Sequence, residues 1–298
     1  MTESELIERA DTERGSAPSS GPADHPTMGH EDDPHLWPPK HDVLGVQISD
    51  VDYDAAVRCV MEAARRRVPA VISCHAVHAV VTISEDPPLR RAANGFAMIT
   101  PDGQPVRWAL NWLHRANLRD RVYGPELMRR LVAEASSAGV PIYLFGGTES
   151  SLDALSHRLR ERCPSLTIAG CESPPFRDLT DDEHAEVARR INASGAGIVF
   201  IGLGCPKQDR FAARHANTIE AVQVCVGAAF DFHAGTKPMA PLWMQRLGLE
   251  WVFRLASEPR RLWKRYLVTN TKFVVRLLRQ YFRTPSTSRR RDALNTLG

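Results

Sequence analysis

Short apolar, β-branched runs alternate with stretches of helical periodicity between about residues 41 and 242. This alternation predicts βαβ units, and therefore a parallel sheet with helices packed against it. The runs at 198–203 and 222–230 are apolar on both faces, which predicts central strands. We therefore expect a single α/β core, which a chain of 298 residues with 43% apolar side chains can fill.

The predicted elements follow one another in a regular order. The predicted strands are VLGVQIS, PAVISCH, FAMIT, PIYLF, SLTIAG, GIVFIGLG and VQVCVGAAF. The predicted helices start near Asp52 and cover 76–94, 125–137, 150–162 and 181–194, with a short helix before the last strand. After Pro241 the strand signals stop, and residues 243–283 are predicted to form a helical appendage.

The two ends of the chain differ in charge. Residues 1–40 hold nine acidic and three basic side chains among many Pro, Gly and Ser, which predicts a disordered acidic tail. Residues 243–298 hold three acidic and thirteen basic side chains and end in a basic tail at 284–298. Such an end attracts polyanions, which include phosphorylated substrates, anionic lipid headgroups and nucleic acid.

The last predicted helix has a basic side and an apolar side. Lys264, Arg265, Lys272, Arg276, Arg279 and Arg283 lie on the side of Arg261, and most aromatic and aliphatic residues lie opposite them. No acidic residue occurs between positions 260 and 283. The pattern favours contact with an anionic membrane. The alternatives are an apolar face packed on the core and, more weakly, a partner groove.

The cysteines and the hydropathy indicate the compartment. The six cysteines form no CxxC pair and lie mostly in apolar runs, which predicts a reducing, cytoplasmic environment. The first 40 residues contain no apolar segment of signal-peptide length. No apolar run reaches the roughly 18 residues that a spanning helix requires. We therefore expect neither secretion by this route nor a transmembrane segment.

Polar or Gly-rich turns follow four of the predicted strands, at 73–75, 101–103, 146–148 and 205–209. In an open parallel sheet, ligands bind beyond the carboxyl ends of the strands, so we expect these turns to meet at one edge. Asp102 between Pro101 and Gly103 is a candidate general base, and its alternative role is a simple Asp-Gly turn.

Two of these turns suit phosphate. Gly146-Gly147 leads into a helix, whose free N–H groups and dipole hold anions, although turn geometry alone also explains the glycines. Gly204 adds a second turn and Lys207 adds a cation for a diphosphate. Asp231, between two phenylalanines, is interpreted as a buried carboxylate bonded to backbone donors and is kept among the substrate-binding candidates.

No metal site is predicted. His75 and His78 lack a third ligand at matching spacing. Asp52-Tyr53-Asp54 spells the DxD pattern of metal-dependent glycosyltransferases, but it directly precedes a helical segment, so we interpret Asp52 as a helix N-cap.

The succession of motifs resembles the WecG/TagA/CpsF family of glycosyltransferases from about residue 41 to residue 266. The motifs are Asp102-Gly103, RVYGPEL at 121–127, LFGG at 144–147, Gly202-Leu203-Gly204 with Pro206-Lys207-Gln208, the segment 227–235, Ala240-Pro241, Leu249-Glu250-Trp251, Arg254, Glu258-Pro259 and Arg260. Their order, more than any one of them, carries the resemblance.

The resemblance implies a Rossmann-like fold and a sugar transfer at the cytoplasmic face of the plasma membrane. The implied donor is a UDP-sugar such as UDP-N-acetylmannosamine, and the implied acceptor is an undecaprenyl-diphosphate-linked sugar. Transfer would invert the anomeric centre and would use no metal and no cofactor. By the same resemblance the catalytic candidates are Asp102, as the base, and Ser73, in the active-site pocket. Gln208 contacts substrate or donor, and Arg121, Arg254, Arg261 and Arg265 neutralise the UDP leaving group.

The sequence departs from the family pattern at several positions. Ser73-Cys74-His75 replaces Thr-x-Asn, Asp209 replaces the Glu after Pro-Lys-Gln, Tyr123 replaces a Thr and Ala228 replaces a Gly. Because a His side chain lacks the amide of Asn, the sugar identity does not carry over. A hexose or uronic acid donor is as consistent with the sequence as N-acetylmannosamine.

Other functions fit less well. A nicotinamide-dependent dehydrogenase or epimerase shares the strand–Gly–helix units, but neither Gly-rich turn completes GxGxxG. A non-enzymatic membrane-associated scaffold leaves the polar turns unexplained. No nucleic-acid-binding module is recognisable, so no nucleic acid is expected as a partner. Homo-oligomerisation is left open.

Overall fold

A computed structural model describes residues 36–246 and 248–283, without the side chains of Leu242, Arg246, Arg261 and Arg265. The basic tail at 284–298 and most of the predicted disordered tail at 1–40 lie outside the described residues. Residues 36–40 are described and ordered, since Leu36 and Trp37 pack against the core and Lys40 begins the first strand. The described chain is α/β, with a Rossmann-like parallel sheet as its centre. This confirms the predicted fold class.

Eight strands are present in the described residues. They are β1 (Lys40–Val43), β2 (Val46–Ser49), β3 (Ala70–His75), β4 (Met98–Pro101), β5 (Ile142–Gly146), β6 (Ile168–Glu172), β7 (Ile198–Gly202) and β8 (Val222–Cys225). Strands β3 to β8 form one six-stranded parallel sheet in the order β4-β3-β8-β7-β5-β6. The strands predicted to be central, β7 and β8, do occupy the middle of the sheet.

Twelve helices connect and cover these strands within the described segments. They are α1 (Tyr53–Arg65), α2 (Val77–Ser84), α3 (Pro87–Asn94), α4 (Gln104–His114), α5 (Gly124–Ala138), α6 (Glu149–Arg162), α7 (Asp181–Ala193), α8 (Lys207–Arg214), α9 (Ala229–Ala234), α10 (Leu242–Arg246), α11 (Glu250–Ser257) and α12 (Pro259–Arg283). The parallel strands run the same way, so their carboxyl ends meet the starts of the following helices at one edge.

The core lies on both faces of the sheet, because successive strand residues point to opposite sides. Ile72, Leu144, Phe200 and Val224 belong to one buried cluster. Val71, Phe145, Ile201 and Cys225 belong to the other. At roughly 25 cal/mol per Å² of apolar area, this two-sided burial is the main stabilising term for the sheet.

Three predicted elements differ from the structure. The run VLGVQIS supplies the end of β1, a turn and β2, which form an antiparallel hairpin outside the main sheet. The predicted helix at 76–94 is two helices, because Asp86 caps the N–H of Leu89 and prolines occupy the first turn of α3. The run 222–230 leaves the sheet after Cys225 and continues as α9.

The C-terminal helix α12 packs on the core along one side only. Leu262 and Phe273 are buried, and the amide Nε2 of Gln280 donates to the backbone oxygen of Asp42 at 3.0 Å. Lys272 and Arg276 both pair with Glu85 of α2. The predicted apolar side therefore divides into a part that packs on the core and a part that stays exposed.

No helix in the described residues is both long enough and apolar enough to cross a bilayer.

Candidate active site

Asp102 lies immediately after β4 and is part-exposed at the carboxyl edge of the sheet. Its backbone N–H donates to the oxygen of His75 at 3.2 Å. Its Oδ2 accepts the N–H of Gly124, at the start of α5, at 3.1 Å. A Cβ at position 124 would lie 3.3 Å from this oxygen and 3.4 Å from the Val226 oxygen, so a side chain here would have to push its neighbours back by a few tenths of an ångström.

The electrostatic surroundings of Asp102 suit a base. Burial raises the pKa of this carboxyl above its usual range. The positive charge of Arg121 and the hydrogen bond from Gly124 oppose that increase in part, as do Arg254 and His75. No described residue donates to Oδ1. One carboxylate oxygen is thus held in place while the other is available for a proton.

Arg121 is buried beside Asp102. Its Nη1 donates to the backbone oxygen of Asp102 at 3.2 Å, and its guanidinium lies 4.5 Å from the ring centroid of Tyr123. It also forms a buried ion pair with Glu250 of α11. This ion pair fastens the C-terminal helices to the candidate site.

Arg254 brings a second cation from α11 to the same place. Its charge offsets part of the increase that burial causes in the pKa of Asp102. Its guanidinium lies 5.7 Å from the ring centroid of Phe232. The other two predicted arginines, Arg261 and Arg265, are on the backbone of α12, but their side chains lie outside the described part of the structure.

Ser73 lies beneath the edge and not in an open pocket. Its side chain is fully buried, and its hydroxyl donates to Asp209 Oδ1 at 2.7 Å. His75 Nε2 lies 2.9 Å from the same oxygen. A buried and engaged hydroxyl is not accessible to a sugar, so this arrangement does not support the prediction of Ser73 as a catalytic residue in the active-site pocket.

Asp209 is the charged centre of this buried cluster. Burial by itself would raise the pKa of its carboxyl, but His75, Ser73 and Cys205 outweigh burial and hold the pKa below its usual range. The His75 side chain is directed to this carboxylate, with its Nε2 2.9 Å from Asp209 Oδ1. The described residues contain no cluster of ligands suited to a metal ion.

Gln208 precedes Asp209 at the start of α8 and is buried. Its Oε1 accepts the N–H of Gly204 at 3.1 Å. A Cβ at Gly227 would lie 3.3 Å from the same oxygen. Gln208 is therefore placed between the ends of β7 and β8, close to the residues after β8 that also touch Gly124.

The turn at Gly146-Gly147 joins β5 to α6, as expected. Gly146 has φ +122°, and a Cβ there would lie 2.7 Å from the carbonyl carbon of Gly202 in β7. Thr148 caps α6 and accepts the N–H of Ser151 at 3.2 Å. The free N–H groups of the first turn of α6 are thus directed outwards at the edge of the sheet.

A broad groove of about 2150 Å³ opens beside this turn. Its lining includes Gly147, Thr148, Gly202, Lys207, Asp231 and Lys237. Lys207 is exposed. The prediction that Asp231 is a buried carboxylate bonded to backbone donors is wrong. Asp231 is part-exposed, and its Oδ2 pairs with Lys237 Nζ at 2.5 Å and accepts no hydrogen bond from the described backbone.

The structure thus separates the predicted residues into two neighbouring groups. Asp102, Arg121 and Gln208 are not among the groove-lining residues, whereas Gly147 and Lys207 are. The segment after β8 joins the groups. Val226 and Gly227 contact the first group, and Phe230 packs on Gly202 and lies near Gly147.

Sequence reasoning missed Glu250 as a partner of Arg121 and Lys237 as a cation of the groove. Glu250 lies in the Leu-Glu-Trp motif, so the resemblance offered a signal, but its partner is 129 positions away along the chain. The interpretation of Asp52 as an N-cap is confirmed, since its Oδ1 accepts the N–H of Ala55 at 2.8 Å.

Comparison with known protein families gives one match. A family model described as "Glycosyl transferase WecG/TagA/CpsF family" matches residues 41–287. The match covers both the sheet and the C-terminal helices, including every residue of the candidate site named above.

Proposed function

The chain belongs to the WecG/TagA/CpsF family of glycosyl transferases, and from this membership we propose a specific reaction for it. The family is one of glycosyltransferases that act in cell-surface polysaccharide synthesis. We propose that this protein moves a hexose, N-acetylmannosamine or a uronic acid from a UDP donor to an undecaprenyl-diphosphate-linked sugar. The observation that carries the proposal is Asp102, held at the sheet edge beside two arginines.

Asp102 is proposed as the general base. The acceptor hydroxyl gives its proton to Oδ1 as its oxygen attacks the anomeric carbon of the donor, and the bond from that carbon to the diphosphate oxygen breaks. Attack from the side opposite the leaving group inverts the anomeric centre. The raised pKa of Asp102 favours this role, since a base with a pKa nearer the working pH accepts a proton more readily.

Arg121 and Arg254 are proposed to neutralise the charge that develops on the UDP leaving group. The support is that Arg121 Nη1 donates to the backbone oxygen of Asp102 at 3.2 Å and that the charges of Arg121 and Arg254 both oppose the rise in the pKa of Asp102. Fixed cations in a site that excludes water stabilise such a charge without a metal ion. Arg261 and Arg265 remain further candidates for the same role.

The donor's diphosphate is proposed to bind where the groove meets the start of α6. Gly146 and Gly147 expose helix N–H groups there, and Lys207 contributes a positive charge. Buried Gln208 holds the neighbouring turn at Gly204 by accepting its N–H at Oε1, and so acts on the shape of this place from within. Ser73 and Asp209 then act from below, as residues that position β3 and α8.

The acceptor is proposed to reach the site from an anionic membrane surface at the cytoplasmic face. Helix α12 supports this, because it carries exposed Trp263, Leu267 and Val274 together with several arginines and lysines and no acidic residue. The core-packing alternative accounts for Leu262 and Phe273 but not for the exposed apolar side.

The test is a donor screen. Purified protein is incubated with membranes or a synthetic polyprenyl-diphosphate sugar and a panel of UDP-sugars, and UDP release is measured. One donor should give release that depends on the acceptor and persists in chelator. If no donor gives acceptor-dependent release, or if chelator abolishes it, the proposed reaction is wrong.

A further inference from the structure

We propose that α4 of the core supplies a second membrane contact, formed by an exposed aromatic strip. The strip consists of Trp108 and Trp112 of α4 with Tyr281 and Phe282 of α12. Its occupant is the interfacial region of an anionic bilayer. The inference rests on the proposed function only in that the acceptor is membrane-bound.

The four side chains form a continuous surface. Trp108 and Trp112 are four positions apart on α4, so they share one face, and they are 53% and 44% exposed. The Trp112 ring stacks on Tyr281 with centroids 4.2 Å apart, and Tyr281 meets Phe282 edge-on at 5.5 Å. Phe282 is 77% exposed. A contiguous patch of aromatic rings that are this exposed is unusual unless a partner covers it.

The strip continues into the exposed side of α12. At 100° per residue, Val274, Leu278 and Phe282 lie within about 80° of one another, and Leu278 and Val274 are exposed. The opposite side of the same helix packs on the core through Phe273. The docked side fixes the orientation of α12, so the exposed side and the α4 tryptophans belong to one rigid surface.

The two helical segments that carry the strip contribute basic and no acidic side chains, and the carboxylates beside them come from Asp42, Glu85 and Asp120. Residues 104–119 and 259–283 contain no acidic side chain. Arg115, Arg119, Arg279 and Arg283 are exposed in these segments. Glu85 neutralises only Lys272 and Arg276. An apolar surface surrounded by cations complements anionic headgroups over acyl chains.

This combination selects a bilayer over other occupants. A second copy would place like charges against each other around the strip, which opposes association. Single-stranded nucleic acid stacks on aromatic rings, but it has no use for exposed Val274 and Leu278. Tryptophan and tyrosine, by contrast, are enriched at the level of lipid headgroups, where one part of the ring is apolar and the other polar.

The contact has a geometric consequence for catalysis. Helix α4 begins two residues after Asp102, and with a rise of about 1.5 Å per residue Trp108 lies about 6 Å along the axis from its first residue. A bilayer that holds Trp108 therefore holds the Asp102 edge close to the headgroups. The lipid-linked acceptor can then reach the base without leaving the membrane.

The experiment compares Trp108→Ser/Trp112→Ser with wild type in the full chain. The matched control is Phe176→Ser, which removes a ring that is 88% exposed but lies in the groove. Binding is measured by co-sedimentation with phosphatidylcholine vesicles containing phosphatidylglycerol. We expect the double variant to need about tenfold more lipid for half-maximal binding, with the control unchanged.

Two further measurements separate the outcomes. Thermal unfolding and turnover on a water-soluble short-chain acceptor should be the same in the double variant and wild type, so that a folding defect is recognised. Unchanged vesicle binding in the double variant overturns the inference, as does a smaller particle by light scattering without lipid, which would make the strip a contact between copies. If the wild type shows no turnover but binds vesicles, and the double variant binds them more weakly, the proposed function alone is rejected.

Discussion

His75 Nε2 lies 2.9 Å from Oδ1 of Asp209, and both side chains are fully buried. Ser73 donates to the same oxygen, and the backbone oxygen of His75 accepts the N–H of Asp102. The pair therefore links α8, which carries Gln208, to the strand end that carries the proposed base. We expect a substitution of His75 or Asp209 to alter the position of Gln208 and Asp102 and the charge around them, although neither residue touches the substrate.

Replacing His75→Asn should reduce turnover by about 10- to 100-fold, because supporting residues of this kind orient the groups above them. His75 offsets part of the increase that burial causes in the pKa of Asp102. Without His75 that pKa should be higher still, which moves the acidic limb of the pH–rate profile to higher pH. The measurement is kcat against pH. His78→Asn, on the neighbouring α2, should leave the profile in place, and an unmoved limb in His75→Asn would contradict the linkage.

Asp102→Asn should lower transfer at least about 100-fold, because the amide cannot accept the proton. It should also stabilise the fold at neutral pH. Since the folded-state pKa of Asp102 is raised, the native state binds its proton more tightly, and stability falls as pH rises through the window between the unfolded and folded pKa. The neutral amide removes that cost.

The measurements for Asp102→Asn are UDP release and thermal unfolding at neutral pH. Asp54→Asn is the matched control, because Asp54 is exposed and pairs with Arg130 on the surface. It should change neither quantity. A decrease in stability with Asp102→Asn would argue against a destabilised carboxylate.

Glu250→Gln should loosen the C-terminal helices, because it leaves Arg121 buried without its charged partner. Breaking a buried pair on one side costs about 3 kcal/mol. Limited proteolysis should show faster cleavage after residue 235, with the sheet retained. The double variant Arg121→Met/Glu250→Met should recover protection, yet stay inactive because the cation is lost. Recovery of activity in the double variant would show that the charge of Arg121 is not needed to neutralise the leaving group.

Gly146→Ala should destabilise the protein by several times more than Gly139→Ala. A Cβ at 146 would meet the backbone of Gly202 at 2.7 Å, and backbone cannot move aside cheaply. Gly139 has φ +65° but no atom within 4 Å of such a Cβ, so only the left-handed backbone cost of about 1 kcal/mol applies. Urea unfolding of both variants measures the difference, and equal losses would show that the close approach of β5 and β7 is not limiting.

His215 should make the protein lose stability in mild acid. Burial, with the charges of His184 and Arg214, lowers the pKa of His215 to about 4. The unfolded state, with a pKa of about 6.5, binds a proton first, so stability is lost as pH falls from about 6.5 to about 4. The loss is up to about 3 kcal/mol and should be smaller in His215→Gln. Urea unfolding at several pH values checks this, and a flat profile would be the contrary result.

Much of the architecture followed from local patterns. The buried strands β5 and β7 carry continuous apolar runs, as parallel strands covered on both faces do, and β3 and β8 are apolar apart from Ser73, His75 and Gln223. The break between α2 and α3 had a local signal in Asp86 and the prolines after it, but helical periodicity across the break concealed it. The hairpin β1–β2 was missed because a strand run shows neither its direction nor its sheet.

Some parts of the candidate site could also be predicted from the sequence, and others could not. The rule that ligands bind at strand ends predicted Asp102 and the Gly146 turn from the sequence, since it depends only on where apolar runs stop. The links from His75 to Asp209, 134 positions apart, and from Arg121 to Glu250 could not be predicted, because nothing local encodes them.

The amino-acid sequence by itself determined which segments become strands and helices, and which polar residues follow the strands, because periodicity and turn chemistry act over a few residues. Only the tertiary structure decided that Ser73 is buried beneath Asp209, that Asp231 pairs with Lys237, and that α12 keeps one apolar side exposed. These outcomes depend on the packing of elements far apart in the chain, where burial and charge neutralisation are settled by all neighbours together.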